Sequence, residues 1–184
     1  MGKQRKYLTE PEIEAFLRAA KKTRHGKRDH CMAMMAYRHG FRVTELVTLQ
    51  MSDVHLDVAR IKIERLKQGL DGEHPIEGDE LRAVRGWLKE RTFHKMAGNP
   101  AFFLSERGPM TRQAVNYLFE VIGQKAGLPI KVHPHMLRHS CGYALANGGK
   151  TTRDIQEYLG HRDIRQTAKY TALNAERFRN FWRK

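Results

Sequence analysis

Apolar residues recur at three- and four-residue spacing over most of the chain, the period of an amphipathic helix. The first stripe is Ile13, Phe16, Leu17 and Ala20. It opens at Thr9 with Glu12 three residues on, the pairing of a capping box, and it leads into a basic run from Lys21 to Arg28. A second helix is predicted from Asp29 to His39, stopped by Gly40, with Met32, Met35 and Ala36 as core filler. A short third helix starts near Thr44 and carries Glu45, Leu46 and Leu49. The period then switches to two. Val58-Ala59-Arg60-Ile61-Lys62-Ile63 reads as a strand, Gly69-Leu70-Asp71-Gly72 as a turn, and His74-Pro75-Ile76 as a return strand with Pro75 suited to a sheet edge. Helical spacing resumes behind Asp79 (Leu81, Val84, Trp87, Leu88) and behind Thr111 (Val115, Leu118, Phe119, Ile122). The second of these ends at Gly127-Leu128-Pro129. Pro134 precedes a helix from His135 to Asn147 that Gly148-Gly149 closes. Two short helices flank Gly160, and a last one from about Asn174 presents Phe178, Phe181 and Trp182. The pattern predicts a mostly α fold with a small antiparallel β-hairpin or three-stranded sheet.

At 184 residues the chain fits one domain, taken as 9–184, preceded by a basic arm over residues 1–8 that is expected to be mobile unless bound. The 40% hydrophobic and 29% charged content is that of a globular protein and excludes wholesale disorder. Charge changes the picture more. A net +14 from 34 basic against 20 acidic residues points to a polyanionic partner, nucleic acid first, with a solubilising surface or an acidic protein partner as the alternatives. Candidate phosphate contacts are Arg5, Lys6, Lys21, Lys22, Arg24 and Arg112. No uncharged apolar run approaches the roughly 18 residues of a membrane span. The basic start, Met1 to Lys6, has no apolar stretch behind it, so no secretory signal is expected. Cys31 and Cys141 make neither a disulfide framework nor a zinc cluster, which suits a reducing cytoplasm.

Four local features carry candidate chemistry. In Gly40-Phe41-Arg42-Val43-Thr44-Glu45-Leu46 an arginine stands at a helix start, where free backbone N–H groups favour anions, with Glu45 close enough to orient it. A plain surface ion pair is the competing reading. In His133-Pro134-His135-Met136-Leu137-Arg138-His139-Ser140, His135 and Arg138 share a helical face, pairing a proton carrier with a bidentate phosphate fork. His135 and His139 also have zinc-ligand spacing, but Met136 stands where a zinc protease needs glutamate, and no third ligand is spaced to match. Structural roles remain open for His133 and His139. Tyr158-Leu159-Gly160-His161 looks like a helix end capped by glycine, with a histidine just beyond. Last comes Tyr170 in Gln166-Thr167-Ala168-Lys169-Tyr170-Thr171. A phenol with a pKa of about 10 needs cationic neighbours to become a nucleophile near neutrality.

Read in order, Arg, His-x-x-Arg, Gly-His and a late Tyr resemble the tyrosine recombinases of the phage integrase family, nearest its short fimbrial phase-variation members. The resemblance runs from about Lys6 to Trp182. It implies the catalytic-domain fold of that family and maps its catalytic set onto Arg42, His135, Arg138, His161 and the nucleophile Tyr170, with Glu45 and His139 in support. The family's hairpin lysine falls on Lys67, with Lys62 as the nearby alternative. The implied reaction is site-specific cutting and rejoining of DNA through a 3′-phosphotyrosine and a Holliday junction, here inverting a promoter-bearing segment. The resemblance further implies no metal or other cofactor, double-stranded DNA with inverted-repeat sites, a homotetramer on that DNA, accessory DNA-bending proteins, no membrane, and a cytoplasmic, nucleoid-associated place of action. Residues 172–184 would dock on a neighbouring protomer or pack on their own core. Longer members add a DNA-clamping domain ahead of the catalytic one. Only the arm and one predicted helix precede the second helix here, so tight binding by a lone subunit is not expected. Two other functions fit parts of the sequence. Thr152 to Tyr170 also reads as the helix-turn-helix of a non-enzymatic regulator, which leaves Arg42, His135 and Arg138 without a role. A type IB topoisomerase-like enzyme would nick and reseal without a partner site.

Overall fold

The computed structural model describes residues 5–65 and 71–172. Helix α1 (Glu10–Lys21) begins as its capping box dictates: the Glu12 carboxylate accepts from the Thr9 backbone N–H at 2.8 Å and from its hydroxyl at 3.0 Å. The helix buries Ile13, Phe16, Ala19 and Ala20. α2 (Gly26–Arg38) starts three residues before the predicted Asp29. It is the central helix, packed against α1, α4 and α6, with every residue from 28 to 36 buried. α3 (Val43–Thr48) follows the turn at Gly40. That glycine is at φ +58, and a Cβ there would stand 2.5 Å from Leu159 Cδ2. The turn thus needs glycine both for its left-handed backbone and for the close approach of a distant helix.

The sheet is antiparallel with order β1 (Val54–His55), β2 (Arg60–Ile63), β3 (Gly72–Pro75), pairing Ile61 with His74 and Ile63 with Gly72. Ile61 and Ile63 are buried and Arg60 and Lys62 exposed, the predicted alternation. The strand begins two residues later than Val58, because exposed Val58 and Ala59 (φ +50) form the turn into it. The return strand is shifted to Gly72–Pro75, and Pro75 does sit on an outer strand. A second hairpin, β4 (Leu104–Ser105) with β5 (Gly108–Pro109), has strands too short to carry an alternation and was not predicted.

α4 (Gly78–Arg91) starts beside Asp79, which pairs with Arg38 instead of capping the helix. Its Trp87 indole donates to the Phe102 carbonyl at 3.1 Å, and buried Arg91 gathers the Ala97, Asn99, Ala101 and Phe102 carbonyls of the next loop. α5 (Arg112–Lys125) is capped by Thr111 as its sequence predicts. α6 (Pro134–Asn147), α7 (Thr152–Leu159) and α8 (Arg165–Thr171) complete the chain's described part, with Gly160 at φ +64 between the last two. One large core joins α1–α6 and the sheet around Phe16, Met32, Met35, Phe41, Phe102 and Phe119. A small second cluster, Cys141, Ala146, Ile155, Leu159 and Tyr170, seats α7 and α8 on α6.

The arm expected over 1–8 is not loose from residue 5 onward. Arg5 pairs with Glu12, the Tyr7 ring lies 4.2 Å from that of Tyr143, and the buried Leu8 donates its N–H to Ser140 Oγ at 2.8 Å. These contacts pin the start of the chain across α1 and α6. Lys67, the turn residues Gly69 and Leu70, and the helix read from about Asn174 lie outside the described residues.

Candidate active site

The end of α2, the start of α3, the middle of α6 and the end of α7 meet at one place. Arg42 stands at the N-terminus of α3, where Glu45 accepts from its backbone N–H at 2.9 Å and from its guanidinium at 2.6 Å. Arg138 is buried on α6 and donates to the Gly40 carbonyl and, at 2.7 Å, to the Leu159 carbonyl. The first lies just past the end of α2 and the second in the last turn of α7, where the helix dipoles also favour a cation. A third guanidinium, Arg65, donates to Glu45 at 2.9 Å. Two of the three guanidinium groups, Arg42 and Arg65, therefore share one carboxylate. Arg65 and Arg42 hold that carboxylate below its usual range against the opposing pull of burial. Burial, then the charges of Arg42 and Arg65, push Arg138 down to about 10, so it stays charged at neutral pH. Three guanidinium groups gathered in one place suit the oxygens of a phosphodiester.

The imidazoles and the phenol gather near Arg138, whose charge acts on each of them. The Tyr170 hydroxyl meets His139 Nδ1 at 2.8 Å. The His139 and His135 rings are 4.4 Å apart between centroids, and the Tyr170 ring is stacked on that of His161 at 6.4 Å. His161 sits just past the α7 cap, its ring fixed by Thr167 Oγ1 at 2.7 Å from Nδ1. Desolvation by the surrounding protein and the neighbouring cations, Arg138 among them in each case, push the still exposed His135 down to about 4 and the buried His139 and His161 to about 3. The rings are thus neutral acceptors or donors near pH 7. Burial raises Tyr170 above the usual phenol value, with Arg138 pulling the other way. The Tyr170 phenol, read from the sequence as the nucleophile, is therefore held, protonated, by His139, the residue read as supporting.

Tyr170 is seated on bare backbone. A Cβ on Gly142 would lie 2.6–2.8 Å from three atoms of its ring. Gly142→Ala is expected to destabilise the domain by about 1–3 kcal/mol through overpacking, and by much less in a Tyr170→Ala background. A double-mutant cycle by chemical denaturation checks it, and equal losses in both backgrounds would place the clash elsewhere.

The buried histidines also set an acid limit. His74, pushed down to about 3 by burial and then by His39 and Arg65, behaves like His139 and His161. All three would titrate near 6.5 in the unfolded chain. The unfolded state therefore binds protons first, so stability is complete above pH 6.5 and is lost as pH falls toward 3. Three such rings together contribute up to about 4 kcal/mol per pH unit below 6.5, on the scale of a whole domain's stability. The melting temperature should drop steeply between pH 7 and pH 5. A flat profile would show that the rings accept protons without leaving their places.

The other expected contacts divide. Lys6 lines the cleft of His133, His135 and His139, and Arg5 borders it while paired to Glu12. Lys21, Lys22 and Arg24 are exposed near the opposite end of α2, about 20 Å along its axis from Gly40, and Arg24 pairs with Glu106. Arg112 is exposed in the first turn of α5. Lys62 is exposed on β2 and tied to Glu64 at 2.9 Å, which raises its pKa. The site contains residues that were not named as candidates: Arg65, Thr167, Gly142 and Lys169, whose ammonium lies 5.1 Å from the Tyr170 ring centroid. For Arg65 a signal was present. The period of two that buries Ile61 and Ile63 places residue 65 on the same inward face.

The profile of the phage integrase family matches residues 6–177. Type 1 fimbriae regulatory protein FimB of Escherichia coli (strain K12) is 46% identical over 182 residues, covering 98% of this chain and 91% of FimB. FimE of the same strain is 46% identical over 181 residues, covering 97% and 91%. Tyrosine recombinase XerD of Ralstonia nicotianae is 33% identical over 178 residues, and the match takes in 58% of that longer protein. Among solved structures, XerA recombinase superposes with a TM-score of 0.84 at 28% identity over 99% of this chain, which spans 64% of the XerA chain. The Tn1549 transposon integrase in complex with transposon right end DNA shares the fold, with a TM-score of 0.80 at 21% identity. Family profile, near full-length relatives and fold agree with the clustering of two arginines, three histidines and a tyrosine: the chain belongs to the phage integrase family and is a tyrosine recombinase, an enzyme of DNA strand exchange.

Proposed function

We propose that this recombinase inverts a DNA segment between inverted-repeat sites, switching a promoter and so the expression of surface fibres. The relatives that support this reading are FimB and FimE, whose names make them regulators of type 1 fimbriae. The observation that carries the chemistry is the linkage of Arg42 and Arg138 through Glu45, Arg65 and the Gly40 carbonyl, with Arg138 near enough to Tyr170 to act on its phenol.

In this reading the scissile phosphate enters between the two guanidinium groups. Tyr170 oxygen attacks phosphorus, the 5′ oxygen leaves, and the 3′ end stays on the protein as a phosphotyrosine. A hydroxyl from a second strand then reverses the step. Each bond broken is replaced by one of equal kind, so no outside energy source enters. A water nucleophile would instead hydrolyse the strand and lose the bond. Charge that builds on the non-bridging oxygens meets fixed donors from Arg42 and Arg138. With the Thr167 hydroxyl donating to His161 Nδ1 across their 2.7 Å contact in this reading, Nε2–H is the donor offered to the phosphate. His139 takes the tyrosine proton and His135, ring to ring with it, passes it on. Rings held at about 3 and 4 are weak bases, and the arriving phosphate charge offsets the cations that depress them. Proton transfer is thereby tied to DNA binding. Lys67 supplies the proton to the leaving 5′ oxygen in this reading, since Lys62 is engaged by Glu64. Four protomers on two sites, with residues 172–184 exchanged between neighbours, and accessory DNA-bending proteins complete the proposal, on the chromosome in the cytoplasm.

A nicked suicide duplex made from the DNA flanking this gene tests it. The expected result is a protein–DNA adduct on a denaturing gel and inversion of a segment between two such sites. Binding with no adduct would favour the regulator. Adducts with relaxation of any plasmid and no exchange would favour the topoisomerase-like enzyme.

A further inference from the structure

Arg65 carries a charge that none of these steps uses, yet it is built into the site more completely than Arg42. Its guanidinium side chain is 1% exposed, against 26% for Arg42. A buried cation is costly unless it is paired and its N–H groups are satisfied. Here they are spread over four acceptors from three separate segments: Glu45 Oε2 at 2.9 Å, the Gly40 carbonyl at 3.4 Å, the His39 carbonyl at 2.9 Å and the Tyr158 carbonyl at 2.9 Å. Each acceptor adjoins a group that holds one of the other two arginines. Glu45 also binds Arg42, Gly40 also accepts from Arg138, and Tyr158 precedes the Leu159 carbonyl that takes the other arm of Arg138. Stability alone would be served by any buried acceptors beside the carboxylate. Arg65 places its remaining donors on the carbonyls that frame Arg138.

We propose that Arg65 is a positioning residue of the phosphate clamp, which sets Arg42 through Glu45 and Arg138 through the ends of α2 and α7 without touching DNA. The proposal rests on the reading of Arg42 and Arg138 as that clamp. Its single positive charge is not what the site needs, since Arg42 and Arg138 bring their own. What matters is the planar fork that reaches several acceptors at once, which lysine cannot reproduce.

The test is Arg65→Lys, measured by DNA affinity, thermal melting and single-turnover cleavage of two suicide substrates. One is ordinary DNA. The other carries a methylphosphonate at the scissile linkage, where a non-bridging oxygen is replaced by methyl and the ionic charge is gone. Displacement of a clamp by a fraction of an ångström is expected to slow cleavage of ordinary DNA by about 10²-fold with binding unchanged. On the neutral linkage, which makes less demand on the clamp, the gap between variant and parent should narrow by about tenfold. Full-rate cleavage of ordinary DNA would overturn the proposal, and so would an equal loss on both substrates, which a merely structural role produces. Arg138→Ala on the same pair is the control. If its defect does not narrow on the neutral linkage, the clamp reading fails; if its defect narrows and that of Arg65→Lys does not, only the role of Arg65 fails. Should Arg65→Lys not fold, Arg65→Gln, which keeps two N–H donors without the charge, is measured in the same way.

Discussion

Tyr170→Phe is expected to abolish the covalent adduct while DNA binding is retained. The change deletes one oxygen. The ring keeps its seat on Gly142 and its edge contact with Tyr143 at 5.0 Å, so the small α6–α8 cluster stays packed. The hydrogen bond to His139 is lost, at a cost of about 1 kcal/mol or slightly more for the unpaired ring nitrogen. That is a small part of a typical domain stability of about 5–15 kcal/mol, so the variant folds. DNA affinity comes from the net +14 charge and is untouched. The gel assay on the suicide duplex reads the result directly, and an adduct that survives would locate the nucleophile elsewhere.

Arg138→Met is expected to slow single-turnover cleavage by at least about 10²–10³-fold while moving stability far less. The two effects have different origins. Cleavage loses a preorganised donor at the phosphate. Stability is subject to opposing changes: the Gly40 and Leu159 carbonyls lose their partner, at about 1–3 kcal/mol each, but a guanidinium crowded by Arg42 and Arg65 is no longer buried. Methionine fills much the same volume. A thermal melt alongside the cleavage rate separates the two. A rate loss that tracks the fraction unfolded would make Arg138 a structural residue only. Arg138→Lys should recover little of the rate, since one ammonium cannot serve two carbonyls and a phosphate together.

Much of this architecture was legible because its causes are local. The Thr9–Glu12 capping box, the Thr111 cap, the Pro134 start and the Gly160 stop act within a few residues of where they are written. So does the Arg42–Glu45 pair, three residues apart on one helix start. The errors were also physical. α2 began three residues early because Gly26 and the basic residues after it continue the helix, and the β4–β5 hairpin escaped because two-residue strands show no period. The arm looked free from residue 5 because its basic letters say nothing about Ser140, which lies 132 residues from Leu8 and accepts its N–H.

What the sequence alone determined is the helical frame, the alternating strand and the identities of the groups with phosphate chemistry, since side-chain period and capping need only near neighbours. Tertiary structure alone decided which of those groups meet. It gave the Tyr170 hydroxyl to His139 rather than His135, and it left Lys21, Lys22 and Arg24 at the far end of α2. It also brought Arg65 beneath the arginine pair. Those outcomes follow from how α6, α7 and α8 pack on the end of α2. Contacts between residues 20 to 100 positions apart are selected by shape and by the cost of leaving buried charges and carbonyls unpaired, and no local period records them.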